Sequence, residues 1–159
     1  MSRRTLDTAQ VVDCAAALAD ADGLDAVTLT RVAERLGVRQ PALYRHVDNY
    51  DALIRALGLR GREILASRLG EAAVGLAGDD AVRAMGGAWR AVVAEHPGLY
   101  AATDRYPCSS DAELAAAVER VVQMLSQALA GYGLADDERI HAARTLRSAF
   151  HGFAHLEAG

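Results

Sequence analysis

The residues best suited to chemistry lie between Thr28 and His46, a segment rich in hydrogen-bonding and cationic side chains. Such side chains contact the base edges and phosphates of DNA, and arginine can pair with phosphate or guanine through two hydrogen bonds at once. Four arginines stand here against one acid, although the formal net charge of the chain is −4. Charges more than about 8 Å apart are screened at physiological salt, so DNA senses this local balance. The segment predicts DNA binding, with an exposed set comprising Gln40, Tyr44, Arg45 and His46.

Two short helical patterns must position these side chains. Apolar residues at helical spacing run from Leu29 to Leu36, and Gly37 suits the left-handed end of that helix. A second pattern starts at Gln40 and Pro41, where proline is tolerated because N–H groups in the first turn of a helix are unpaired. A helix, a short turn with glycine and a second helix are typical of a helix-turn-helix.

Composition and periodicity predict an all-α protein. The chain has 159 residues, is 52% hydrophobic, and spaces its apolar residues for helices rather than for strands. We expect a three-helix module over 1–50 and a larger helical bundle over 51–159. No apolar run approaches the ~20 residues of a membrane span, and no signal peptide is visible, so the cytoplasm is the expected compartment.

Caps and breaks predict where the helices lie. They fall at about 7–21, 29–36, 40–47, 49–69, 79–95, 99–102, 110–130 and 136–156, with Ser110 and Glu113 spaced as a capping box. In the first helix we expect an inward face of Ala9, Val12, Ala16 and Ala19. In the helix from residue 49 we expect an outward set of Arg55, Arg60, Arg62 and Arg68.

Other candidate chemistry is sparse. Cys14 lies in an apolar helical pattern and Cys108 in a loop, and neither has metal-ligand spacing around it. His151 and His155 are four residues apart, but two histidines without a nearby carboxylate are a weak metal signal. No Ser/His/Asp or Cys/His set and no phosphate-binding glycine loop stands out. We therefore predict no enzyme, cofactor or metal.

From about Thr5 to Leu57 the chain resembles the TetR family of transcriptional regulators. The resemblance rests on LTRVAERLGVRQPALYRHVDNYDAL, with Leu-Gly-Val before the turn and Leu-Tyr-x-His-Val in the recognition helix. The second half resembles one C-terminal class of that family through Trp89, His96-Pro97-Gly98-Leu99-Tyr100, Arg144-x-x-Arg147-Ser148 and His151-Gly152. This resemblance implies an all-helical homodimer that binds double-stranded operator DNA. Since no apolar run is long enough to span a bilayer, we expect no membrane partner. Residues 51–159 would sense a ligand and dimerise, and we expect the family's further C-terminal helix to be missing from this chain.

The resemblance also assigns the DNA contacts. Hydroxyls and N–H groups at the start of the helix before the turn would meet phosphate. Tyr50 stands where the family often carries a lysine, so counterion release would be weaker there, and Arg39 would offset this. The full set is Thr28, Thr30, Arg31, Arg39, Gln40, Pro41, Ala42, Tyr44, Arg45, His46 and Tyr50.

We predict a dimeric repressor that binds a pseudo-palindromic operator and is released by a small apolar effector. The expected ligand-binding residues are Trp89, Tyr100, Tyr106, Met124, Phe150 and His151. Two other classes stay open, namely an enzyme on a helical scaffold and a protein-interaction module that uses the helix-turn-helix only for packing. An interaction module would not need Gln40, Arg45 and His46 to be exposed.

Overall fold

A computed structural model describes residues 6–105 and 111–158, and the regular structure within those ranges is entirely helical. The α-helices there are α1 (Thr8–Asp22), α2 (Leu29–Leu36), α3 (Tyr50–Ala73), α4 (Gly78–Glu95), α5 (Pro97–Ala102), α6 (Ala112–Ala128) and α7 (Asp136–Ala158). Short 3₁₀ helices lie at Leu24–Ala26, Gln40–Arg45 and Leu129–Tyr132. The predicted all-α class is confirmed.

The first two helices begin and end at residues suited to those places. The Asp7 carboxylate accepts a hydrogen bond from the Gln10 N–H at 2.8 Å, and Gln10 Oε1 accepts one from the Asp7 N–H at 3.2 Å. This reciprocal pair satisfies two N–H groups that a helix start leaves without partners. Gly37 ends α2 with a left-handed φ of 68°, which a residue with a side chain adopts only under strain. The predicted helix end at Gly37 is confirmed.

The described residues divide into two compact units. Unit 1 contains the chain up to Arg60 together with α5, and unit 2 contains Gly61 to His96 together with α6 and α7. Unit 1 thus combines the N-terminal helices with a segment from much later in the chain. The division into a DNA-binding domain over 1–50 and a ligand-binding domain over 51–159 stays a prediction. The buried core of unit 1 includes Val11, Leu18, Val32, Leu43, Leu53 and Leu57. That of unit 2 includes Leu69, Met85, Trp89, Leu114, Val121 and Leu125.

The segment after the turn differs from the predicted helix over 40–47. It is a 3₁₀ helix from Gln40 to Arg45, in which Ala42 N donates to the Arg39 carbonyl at 2.9 Å. Pro41 has no N–H to donate, and little chain remains before α3 begins. A short segment of this kind favours the tighter 3₁₀ spacing over full α-helical turns.

Three other local predictions were wrong. Of the expected inward face of α1, Ala19 is buried as predicted, but Ala9 is exposed, and Val11 and Ala15 are buried in place of the half-buried Val12 and Ala16. Arg62 is only 6% exposed although it was expected to face outward, because it lies on the same buried stripe of α3 as Leu65, Ala66 and Leu69. The N-cap of α6 is Asp111, which accepts from two N–H groups at 3.1 Å. The expected cap Ser110 lies outside the described residues.

Candidate nucleic-acid interface

The candidate interface lies in unit 1, at the start of α2 and on the 3₁₀ helix Gln40–Arg45. Leu43 is fully buried and anchors the 3₁₀ helix in the core of the unit. Its neighbours Pro41, Tyr44 and Arg45 are exposed on the other side of that short helix. The structure therefore presents these predicted DNA-contacting residues on a face that the core fixes.

Thr28 fixes the start of α2. Its hydroxyl oxygen accepts a hydrogen bond from the Arg31 N–H at 3.2 Å, so one otherwise unpaired N–H of the first turn has a partner. Thr28 is exposed, and its hydroxyl proton can still be donated outward. The positive end of a helix dipole together with such donors favours a phosphate group.

A chain of side-chain hydrogen bonds links α2 to the 3₁₀ helix. The Thr30 hydroxyl donates to Gln40 Oε1 at 3.0 Å, and Gln40 Nε2 donates to the Tyr44 hydroxyl oxygen at 3.3 Å. Gln40 is half-buried, whereas Tyr44 is 48% exposed. Both ends of the Gln40 amide are thus engaged within the protein.

Arg31 is engaged in contacts of its own. Its guanidinium donates to the Ala26 carbonyl at 3.0 Å and forms an ion pair with Asp22. These bonds tie the first turn of α2 to the end of α1 and to the following 3₁₀ helix. A phosphate contact by Arg31 remains a prediction, and such a contact would compete with this pairing.

Arg39 and Arg45 are the accessible cations of the interface. Both are exposed, and within residues 6–105 and 111–158 neither forms an ion pair with another side chain. An arginine without a protein partner keeps all five N–H donors for phosphate or guanine. Tyr50, the first residue of α3, is 39% exposed and offers a hydroxyl but no charge.

Ala42 and His46 occupy less accessible positions. Both are half-buried, and the His46 carbonyl accepts a hydrogen bond from the Thr8 hydroxyl at 3.4 Å. This contact ties the end of the 3₁₀ helix to the start of α1. Ala42 and His46 therefore lie at the edge of the exposed face, and their contacts with DNA remain predictions.

Sequence reasoning missed the role of α5 in unit 1. The Leu99 N–H donates to the Asp20 carboxylate at 2.8 Å, and Arg105 pairs with Asp25. Gly98 lies against the backbone of α1. The signal was the His96-Pro97-Gly98 motif, which indicated only a helix stop. Its partners on α1 lie about 80 residues earlier, and local patterns carry no information about them.

The predicted ligand-binding residues are dispersed. Trp89 on α4 and Phe150 on α7 are brought together in unit 2, with ring centroids 5.9 Å apart at 55°. Phe150 also lies against Gly86, where an added β-carbon would be 3.1 Å from the ring. Tyr100 is on α5 in unit 1, and Tyr106 lies outside the described residues. Contact of these residues with a ligand remains a prediction.

Met124 lines a small cavity in unit 2. The cavity has a volume of about 260 Å³, and its lining includes Met85, Gly70 and Gln127. Neither Trp89 nor Phe150 lines it. His151 instead stacks on His155 along α7, with ring centroids 5.9 Å apart.

Other kinds of site find little support in the described part of the chain. No group of three or more metal-ligating side chains occurs there. Burial raises the pKa of the Cys14 thiol, against a smaller opposing effect of Arg35, so Cys14 is not an activated thiolate. Cys108 lies outside the described residues. Within these ranges no helix is both long and apolar enough to cross a membrane.

Two family models match the chain. Residues 11–57 match the model described as bacterial regulatory proteins, tetR family. Residues 82–159 match the model described as tetracyclin repressor-like, C-terminal domain. The first match contains α2, the turn and the 3₁₀ helix that carry the candidate interface.

Relatives match along most of the chain. The HTH-type transcriptional regulator Rv0681 of Mycobacterium tuberculosis, itself uncharacterized, is 36% identical over 96% of this chain and 70% of its own length. The similarly uncharacterized regulator YobS of Bacillus subtilis is 31% identical over 93% of this chain and 77% of its own. The crystal structure of BioQ with its double-stranded DNA operator shares the fold, with a TM-score of 0.64 at 22% identity over 97% of this chain and 88% of that one.

Proposed function

The chain belongs to the TetR family of bacterial regulatory proteins, and on that premise we propose that it is a dimeric repressor released from its operator by a small apolar effector. It is a transcriptional regulator with a DNA-binding helix-turn-helix. The observation that carries the proposal is the exposed face of the 3₁₀ helix, where Arg39 and Arg45 lie without partners among the described side chains. Such a regulator acts where the DNA is, in the cytoplasm.

The proposed DNA contacts divide by chemistry. Thr28, at the start of α2, and Tyr50, at the start of α3, donate to phosphate and fix the register of the protein on the duplex. Arg39 contributes charge to the same backbone contacts. Arg45 reads a base edge in the major groove, where a guanine offers O6 and N7 to both arms of a guanidinium. BioQ, which has the same fold, was solved with its operator, and this supports a duplex as the ligand.

A second copy of the chain completes the proposed DNA-binding dimer. Two helix-turn-helix units bind half-sites about 34–36 Å apart, which gives a pseudo-palindromic operator. The α7 helix supports dimerisation, because Phe153 is 57% exposed and Leu156 is 83% exposed beside the exposed Ala149. Apolar and small side chains of this kind suit contact with a partner helix.

Effector release follows from a shift between two states. A ligand that binds unit 2 in one state better than in the other favours that state, and equal binding to both would change nothing. The cavity at Met85 and Met124, about 260 Å³ in volume, supports a small apolar effector. In the proposed mechanism the favoured state is one in which α3 swings and the two recognition elements no longer match their half-sites.

Footprinting and stoichiometry test this proposal together. Purified protein should protect two half-sites on one face of the DNA upstream of a regulated gene, at two chains per operator. Mass spectrometry of the purified protein for a bound molecule should identify the effector, which should then lower operator affinity. Binding of one chain to a single unrepeated site would contradict the dimeric operator, and an unchanged affinity with the bound molecule would contradict effector release.

A further inference from the structure

We propose that Gln40 is a positioning residue that fixes the Tyr44 hydroxyl as a hydrogen-bond donor to a DNA phosphate, rather than a reader of bases. The inference rests on the proposed DNA-binding function and specifies how one part of that interface works. It is carried by the hydrogen-bond chain from Thr30 through Gln40 to Tyr44.

The direction of the hydrogen-bond chain from Thr30 to Tyr44 follows from its donors and acceptors. Thr30 gives its hydroxyl proton to Gln40 Oε1, and Gln40 Nε2 gives a proton to the Tyr44 oxygen. A phenolic hydroxyl that accepts in this way keeps its own proton for another partner. A phosphate oxygen only accepts, so it is a complementary partner for this proton.

Burial supports the same division of roles. Gln40 is half-buried between α2 and the 3₁₀ helix, whereas Tyr44, one turn further on, is 48% exposed. Leu43, next to Tyr44, is fully buried and holds the 3₁₀ helix in register. The Tyr44 hydroxyl is therefore the accessible end of the hydrogen-bond chain, and Gln40 holds that hydroxyl in place.

Base reading by Gln40 would have to use the second N–H and the second lone pair of its amide. Glutamine reads adenine through both ends of its amide at once, accepting from N6 and donating to N7. In this protein both ends already have side-chain partners, at 3.0 Å and 3.3 Å. We infer that discrimination between bases falls to Arg45, while the Gln40 chain contributes affinity that does not depend on sequence.

A double-mutant cycle on operator binding tests the support role. Gln40→Met keeps the length of the side chain and removes both amide groups, and Tyr44→Phe removes only the hydroxyl. Each should weaken binding roughly tenfold, as expected for loss of a hydrogen bond to a charged group. The double variant should be no more than about twofold weaker than either single variant, because both remove the same contact. Additive losses would overturn the proposal. Gln123→Met, at an exposed position on α6, is the matched control and should leave affinity unchanged.

Selection from a randomised operator library distinguishes support of Tyr44 by Gln40 from base reading by Gln40. Gln40→Met should enrich the same consensus as the wild type, with lower recovery at every sequence. Loss of preference at one base pair in Gln40→Met, but not in Tyr44→Phe, would show that Gln40 reads that base and would overturn the proposal.

The free protein allows the hydrogen-bond chain to be tested apart from DNA. In ¹H–¹⁵N spectra the side-chain amide signals of Gln40 should shift in Tyr44→Phe and in Thr30→Val, while those of Gln123 stay in place. Unshifted Gln40 signals would contradict the hydrogen bonds from Thr30 through Gln40 to Tyr44 and would leave the DNA-binding proposal intact. A wild-type protein that enriches no sequence would instead contradict the proposed function and, with it, the phosphate contact.

Discussion

A β-carbon built on Gly98 would overlap the carbonyl oxygen of Ala19, so no side chain can exist there. Gly98 is the second residue of α5, and Ala19 lies in the last turns of α1. The two helices therefore meet backbone to backbone, and the Asp20 carboxylate accepts from the Leu99 N–H beside this contact. Absence of a side chain at Gly98 is what allows α5 to join the unit that carries the candidate interface.

Replacing Gly98 should therefore destabilise unit 1. Overpacking in a core costs about 1–3 kcal/mol, and we expect Gly98→Ala to reach the upper end because the obstacle is backbone rather than a movable side chain. Urea denaturation gives the free energy of unfolding. Gly87→Ala is the matched control, since nothing lies within 4 Å of its added β-carbon. In α4 that change should stabilise by about 0.5–1 kcal/mol. Equal effects of the two variants would contradict the close contact at Gly98.

Thr28 should contribute to stability as well as to DNA binding. Thr28→Ala removes the hydroxyl that accepts from the Arg31 N–H and should lower the free energy of unfolding by about 0.5–2 kcal/mol. Thr28→Ser keeps the cap and should stay close to the wild type. Thermal unfolding of the three proteins separates these outcomes, and a Thr28→Ser variant as unstable as Thr28→Ala would exclude capping as the reason.

The phosphate contacts should respond to charge at position 50. Tyr50→Lys adds a cation at the exposed start of α3, and each additional neutralised phosphate should make the slope of log K against log salt steeper by about 0.9. Operator affinity measured between low and moderate salt gives this slope. Tyr50→Gln adds no charge and should keep the wild-type slope. If the slope of log K against log salt were the same in all three proteins, residue 50 would not contact the DNA backbone.

Arg45 should determine sequence preference. Its side chain is exposed and has no ion-pair partner among the described residues, so Arg45→Ala changes little in the free protein. Loss of a bidentate guanine contact should weaken specific binding by about 1–3 kcal/mol and relax the preference at one position in each half-site. Arg120→Ala, at an exposed position on α6, is the charge-matched control. A uniform loss over all sequences would identify Arg45 as a phosphate contact instead.

Local signals in the sequence predicted much of this architecture. Gly37 and Thr28 mark helix ends through backbone preference and side-chain chemistry that act within three residues, so both were readable from the sequence. The 3₁₀ helix was not, because apolar spacing over six residues does not separate it from an α-helix. The contact of Gly98 with Ala19 joins segments about 80 residues apart, and only the tertiary fold brings them together.

The exposure of candidate site residues could be predicted from local spacing, whereas their contacts with distant segments could not. Arg45 and Tyr44 are exposed as expected, since the buried Leu43 fixes the phase of a short element. The pairing of Arg31 with Asp22 depends on how α1 meets α2, which sequence spacing does not reveal. Trp89 and Phe150 were named together, but their contact arises from packing between α4 and α7.

The most direct test of the central claim is selection of genomic DNA fragments by the purified protein at physiological salt. We expect the recovered fragments to share a pseudo-palindrome whose half-site centres lie about one helical turn apart, roughly 34–36 Å. The same selection with Arg45→Ala should recover that sequence poorly or with a degenerate position in each half. Recovery of fragments without any shared sequence, at the level of bulk DNA, would contradict the assignment of this protein as an operator-binding regulator.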